Sequence, residues 1–187
     1  TGPTGSGKTT TLYAALAKLD AAELKILTVE DPVEYQLGGV NQVQVQSQIG
    51  LSFAHALRSI LRQDPDIIMI GEMRDTQTAQ IAVQSALTGH LVLSTLHTNT
   101  AAAAIVRLED MGVERYLITS TVNGVLSQRL VRKLCKGCRT SVELTAADME
   151  RIGLARFMPT GVSQVFAARG CPECKHTGYF GRTSIHE

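Results

Sequence analysis

Residues Gly2-Pro3-Thr4-Gly5-Ser6-Gly7-Lys8-Thr9 satisfy the pattern G-x-x-x-x-G-K-[ST], so phosphate binding is the first chemistry to consider. Glycines there let the backbone curl until its N–H groups converge on an anion. The lysine adds a charge for the β- and γ-phosphates, and the threonine hydroxyl a ligand for Mg²⁺. The expected nucleotide-binding set is Gly2, Thr4, Gly5, Ser6, Gly7, Lys8, Thr9 and Thr10, with Thr9 on Mg²⁺ and ATP as the ligand. Good helix formers follow, with Leu12, Leu16 and Leu19 at helical spacing. The loop should therefore open a helix over residues 8–19, whose N-terminal dipole favours the same anion.

Carboxylates and imidazoles at strand ends supply a second set. Glu72 follows the apolar run Ile67-Ile68-Met69-Ile70, and a carboxylate at the end of such a strand can orient or deprotonate an attacking water. Gly71 stands where an Asp often contacts Mg²⁺, and the plainer reading of Glu72 is a helix cap or a pair with Arg74. Glu30, Asp31 and Glu34 form another acidic group, suited to positioning water or metal or to a solvated turn around Pro32. His90 precedes the apolar run 91–95 and His97 follows it. His97, at the carboxyl edge, is the one expected to sense a γ-phosphate.

The four cysteines form two C-x-x-C pairs, Cys135/Cys138 and Cys171/Cys174. Two pairs can close a tetrahedral Cys₄ site even across a long spacer, and a structural Zn²⁺ with no open position is expected. Arg129, Arg132, Lys133, Lys136 and Arg139 make a basic face around the first pair, most simply a solvated one, with an acidic partner or lipid head groups as the less favoured reading.

The elements that must position these residues alternate. Residues 25–30, 66–72 and 91–95 read as buried strands, and 40–46 as a half-exposed antiparallel strand after a Gly38-Gly39 turn. Helices are expected from the Ser52 cap through Leu61, over Thr76–Leu87, and over 100–111 ended by Gly112. This alternation implies a mostly parallel sheet with helices on its faces. Beyond Glu114 only helix is expected, around Arg115–Thr121 and residues 125–134, and Thr145-Ala146-Ala147-Asp148 is a capping signature for a short helix. The domain reading is 1–134 for the nucleotide core, 135–180 for the cysteine subdomain and 181–187 for a continuation. A phosphate loop ordinarily follows a buried strand and only Thr1 precedes this one, so the chain is expected to be a piece of a longer protein.

A chain of 187 residues allows one domain plus a small appendage. With 44% hydrophobic and 19% charged residues it is neither disordered nor fibrous. Only 4% of residues are aromatic and the net charge is +1, a poor endowment for stacking bases or for drawing the chain onto nucleic acid or an anionic membrane. No run approaches the length of a membrane span, and the start has no signal-peptide pattern, so a cytosolic setting is expected.

Residues 2–13, Thr28-Val29-Glu30-Asp31-Pro32-Val33-Glu34-Tyr35, Leu61-Arg62-Gln63-Asp64-Pro65-Asp66 through Gly71-Glu72-Met73-Arg74-Asp75, and Thr88-Gly89-His90 through Leu96-His97-Thr98-Asn99 together resemble the type II secretion and type IV pilus assembly ATPases. They stand in the order of that family's Walker A, aspartate box, Walker B and histidine box. The cysteine pairs resemble the zinc subdomain of its secretion and pilus-extension branches, and residues 35–42 and 174–179 look most like the general secretory pathway ATPase. The resemblance implies a RecA-like core in which Glu72 is the catalytic glutamate, Glu30 and Glu34 are acidic-box residues and His97 lies near the γ-phosphate. It further implies a homo-hexamer on the cytoplasmic side of the inner membrane that works through membrane platform proteins. A pilus-extension ATPase, a non-catalytic nucleotide switch with a zinc module, and a nucleic-acid motor are the competing readings.

Overall fold

The computed structural model describes residues 1–19, 21–154, 156–157 and 164–187. The chain divides into two compact units, Thr1–Arg129 with Ile185–Glu187, and Leu130–Ser184.

The first unit is built on four parallel strands, β1 (Ile26–Glu30), β2 (Val40–Gln44), β3 (Ile67–Ile70) and β4 (Leu91–Ser94), in the order β2-β1-β3-β4. β1 and β3 are central and buried along their whole length, as their apolar runs require. Their side chains alternate between two cores. Leu27, Val29, Ile68 and Ile70 pack with Leu57, Ile60 and Ala82 of the helices α2 (Phe53–Ile60) and α3 (Thr76–Leu87). Ile26, Ile67 and Met69 pack with Tyr13 and Leu16 of α1 (Lys8–Leu16). Burying the four β3 side chains contributes on the order of 6–12 kcal/mol, an upper figure against an extended chain. α4 (Ala101–Asp110) and α5 (Arg115–Thr121) close a further core on α3 through Leu108, Met111 and Ile118.

Three of these helices begin with side-chain caps: Ser52, the cap read from the sequence, accepts from the His55 N–H, Asp75 from Thr78 and Thr100 from Ala103. α1 differs. It starts from Gly7 at φ 85° with no side-chain cap, so the N–H groups of its first turn remain directed at whatever lies before it. Beside the outer edge of β4 runs a groove of about 470 Å³ lined by Leu91, Leu93, Val122, Val125 and Leu126.

The second unit carries β5 (Gln128–Leu134), whose first two residues belong to the first unit, β6 (Thr140–Glu143), α6 (Ala146–Arg151), β7 (Gln164–Ala167) and β8 (Tyr179–His186), whose last two residues belong to the first unit. β5 pairs with β8, and β6 pairs antiparallel with β7. The Thr145 capping box that opens α6 is formed in both directions with Asp148.

Three expectations are corrected. β2 runs parallel to β1, not antiparallel. Its alternation reports one exposed face, which an edge strand shows in either direction. Residues 128–134 form a strand where a helix was expected, and strands continue past Glu114 in β5 to β8. The mixed charged and apolar run there fits either period, and pairing with a strand some fifty residues later in the sequence decides it. α1 ends at Leu16, short of residue 19.

Candidate functional site

The loop wraps as a phosphate site requires. Gly2 (φ 144°) and Gly7 (φ 85°) hold conformations that side chains rarely adopt, and a Cβ on Gly2 would lie 2.3 Å from the Gln128 carbonyl oxygen. Thr4 and Gly5 form the exposed lip, while Ser6 is buried with its hydroxyl unpartnered. Lys8 Nζ donates to the Gly2 and Pro3 carbonyls at 2.8 and 3.1 Å. Burial draws the Lys8 ammonium below the usual lysine range, and the Glu72 charge acts in the opposite sense. A cation whose hydrogen-bond acceptors among the described residues are loop carbonyls, above an uncapped helix start, is a donor set that fits a polyphosphate.

Glu72 follows β3 and is held in place through its neighbours. The Gly71 N–H donates to Val29 O, the Gly71 carbonyl accepts from the Thr95 hydroxyl, and the Met73 N–H donates to Thr95 O. Gly71 packs closely, since a Cβ there would lie 3.3 Å from Glu30 Cα on β1, which would have to give by a few tenths of an ångström. The Glu72 carboxylate meets Arg74 Nη2 at 2.6 Å and His97 Nε2 at 3.3 Å. His97 and the Arg74 partner are thus both present around the one carboxylate. The backbone flanking His97 is tied to the loop, since the Thr1 hydroxyl donates to Leu96 O (2.9 Å) and accepts from the Thr98 N–H (3.0 Å).

The acidic trio is split. Glu30 is 2% exposed and accepts from the Tyr13 hydroxyl, from Thr28 Oγ1 at 2.5 Å and from Gln42 Nε2 at 3.1 Å. Asp31 and Glu34 face solvent. Burial, then the bond to Glu30, pushes the Tyr13 hydroxyl up to about 12. His90 lies at the opposite end of β4 from His97, with Nδ1 against Ser85 O at 2.9 Å and Thr88 Oγ1 at 3.1 Å.

In the second unit the four cysteine sulfurs lie within 4.8 Å of one another. Cys135–Cys171, Cys138–Cys174 and Cys171–Cys174 are separated by 3.9, 3.8 and 3.7 Å. These spacings are far beyond a disulfide, and a tetrahedron of Zn–S bonds near ~2.3 Å requires sulfurs ~3.8 Å apart. Burial would raise the Cys174 thiol, but backbone N–H donors from Cys171 and Gly178 outweigh it and bring it down to about 6, while burial pushes the Cys138 thiol up to about 11. The four residues fit Zn²⁺.

A family model described as type II/IV secretion system protein matches residues 1–187. The chain belongs to that family. It is 62% identical over 187 residues to type II secretion system protein E of Xanthomonas campestris pv. campestris, covering all of this chain and 33% of that protein. It is 56% identical to type II secretion system ATPase E of Vibrio cholerae, covering all of this chain and 37% of that protein. The chain thus spans about a third of the length of the curated relatives it matches. The solved structure of the pilus retraction motor PilT with bound ADP superposes with a TM-score of 0.65 at 42% identity, covering 73% of this chain and 43% of that one. The mostly parallel α/β core and the four-cysteine cluster agree with the expected fold class of this type II/IV secretion protein.

One residue of the site escaped the sequence reading. Gln128 is 4% exposed and reaches the phosphate loop from the far end of the first unit. No local signal marks it, because a lone Gln between Ser127 and Arg129 matches no motif.

Proposed function

We propose that the chain is the ATP-hydrolysing motor domain of a type II secretion ATPase, working as a homo-hexamer on the cytoplasmic side of the inner membrane with platform proteins of the secretion system. The observation that carries this reading is the wrapped loop that holds Lys8 on the Gly2 and Pro3 carbonyls above the uncapped start of α1, in a chain matched along its whole length by the secretion-protein family model. The loop amides and Lys8 bind the β- and γ-phosphates. Thr9 is the residue that would hold Mg²⁺, which screens the phosphate charge when bound. Glu72 takes the proton of the attacking water, and His97, bonded to the same carboxylate, is the residue that would sense the γ-phosphate. Glu30 acts from behind, its buried bonds fixing α1 against β1 below the loop. The cysteine cluster holds a structural Zn²⁺ that stays out of the hydrolytic step. The similarity to proteins named for type II secretion supports the coupling to protein export.

The test is ATP turnover by the full-length hexamer. Glu72→Gln should keep ATP binding within a few-fold and cut kcat by about 10²–10⁴, the share a positioned base supplies, whereas Lys8→Ala should lose nucleotide binding. Undiminished turnover in Glu72→Gln overturns the assignment of the base, and undiminished binding in Lys8→Ala overturns the phosphate site.

A further inference from the structure

Gln128 opens β5 and commits both polar ends of its side chain to the phosphate loop and the helix that follows it. Its side-chain Nε2 donates to Ser6 O at 2.7 Å, and its Oε1 accepts from Thr11 Oγ1 at 2.7 Å. Its backbone N–H donates to Thr1 O at 2.9 Å, and its carbonyl oxygen is packed against Gly2. One buried residue thus touches the loop at its start, near its end, and in the helix it opens into.

The loop has little else to hold it. Among the described residues its internal bonds are Ser6 N–H to Pro3 O at 3.2 Å and the two from Lys8 to Gly2 and Pro3, with Thr11 N–H to Gly7 O at 3.0 Å continuing into the helix. The Lys8 bonds must be given up when the ammonium turns to a phosphate. What then remains, among the described residues, is the Ser6–Pro3 bond, the Thr11–Gly7 bond into the helix, the Thr1 ties to Leu96 and Thr98 at the loop's start, and the brace from Gln128, which alone of these holds the Ser6 carbonyl. The position of the brace also matters. In a trans peptide the C=O and the following N–H point in opposite directions. Drawing the Ser6 carbonyl inward therefore turns the Gly7 N–H outward, toward the hollow of the loop. A phosphate nest needs N–H groups facing the anion and carbonyls facing away.

We propose that Gln128 is a positioning residue for nucleotide: by holding the Ser6 carbonyl inward it keeps the Gly7 N–H presented to phosphate, and so sets the affinity of the loop. The inference rests on the phosphate-site reading given above. Gln128 does not itself touch the nucleotide, and its amide reads no feature of the base, so its effect falls equally on ADP and ATP.

The experiment measures the Kd of a fluorescent ADP, the KM for ATP and the unfolding midpoint without nucleotide, all in the full-length protein. Gln128→Met keeps the length of the side chain and removes both polar ends. It should raise Kd and KM together by about tenfold or more, with the first-order rate at saturation changed much less. Thr11→Val releases only the Oε1 anchor, leaves the loop sequence untouched and should raise Kd about threefold. Gln128→Glu, which sets a carboxylate against the Ser6 carbonyl, should bind more weakly than Gln128→Met. A residue that merely supports folding would lower the midpoint and leave Kd unchanged. Kd within twofold of the parent in both Gln128→Met and Thr11→Val overturns the proposal. Should Gln128→Met fail to fold, Thr11→Val alone decides. Lys8→Ala runs beside them. If it loses binding while the others keep it, the role of Gln128 falls and the phosphate site stands. If Lys8→Ala also binds normally, the phosphate site itself is wrong.

Discussion

His90 and His97 flank one short strand and meet different surroundings. His90 Nδ1 is bonded to Ser85 O and close to Thr88, both at the end of α3, so it fastens the turn into β4. His97 is exposed and its polar partner among the described residues is the Glu72 carboxylate. Replacing His90 with Ala should cost about 1 kcal/mol of stability and spare turnover. Replacing His97 with Ala should do the reverse, shifting stability by less than about 0.5 kcal/mol while lowering kcat. Thermal unfolding and an ATPase assay on each variant of the full-length protein separate the two, and matching profiles would contradict this division. Lys8, Glu72 and His97 were legible in the sequence because each sits in a local pattern or at the end of an apolar run. Gln128 was not, because what singles it out is a neighbour more than a hundred positions away.

At the scale of elements, α1 and β1 are joined by a buried acid and a phenol. Glu30 accepts from Tyr13, whose hydroxyl is pushed up to about 12 by burial and by that bond. Folded Tyr13 therefore keeps its proton better than the unfolded chain does. The stabilisation is fully present below pH ~10 and is lost as pH rises toward ~12, on the order of 2–3 kcal/mol over that window. Tyr13→Phe should be less stable at pH 8, because Glu30 loses a donor, and should decline less between pH 10 and 12. Denaturant midpoints at the two ends of the window check both statements. The strands and helices of this core were readable because burial on both faces writes uninterrupted apolar runs, as in Ile67–Ile70, and because a cap such as Ser52 marks a helix start locally. Strand direction in β2 and the very existence of β5 and β8 were not readable. Both depend on which distant segment supplies the hydrogen bonds, and Val131 among Arg129, Arg132 and Lys133 carries no decisive period.

At the scale of the whole molecule, the two units have different sources of stability. The first has three apolar clusters. The second, Leu130–Ser184, has among its described residues two buried side chains, Cys135 and Cys174. Its cohesion is therefore expected to come from metal, which in small zinc domains is worth on the order of 10 kcal/mol. Chelation or Cys138→Ser should release about one Zn²⁺ per chain and raise hydrogen exchange across 130–184, with ADP affinity unchanged within twofold. Metal analysis near zero in untreated protein, with that segment still protected, would remove the zinc assignment.

Ser127 and Glu187 exchange both backbone hydrogen bonds, N–H to O at 3.1 and 2.9 Å, as a bonded pair in an antiparallel ladder does. The chain leaves the first unit at Arg129 and re-enters it at Ile185, so its exit and return are fastened side by side. In engineering terms the second unit is a cassette. Residues 130–184 can be excised and the gap sealed by a two-residue Asn-Gly hairpin turn, leaving Gln128 on the phosphate loop and the nucleotide core closed. By the same geometry, a foreign domain whose own termini lie about 5 Å apart can be grafted at this seam.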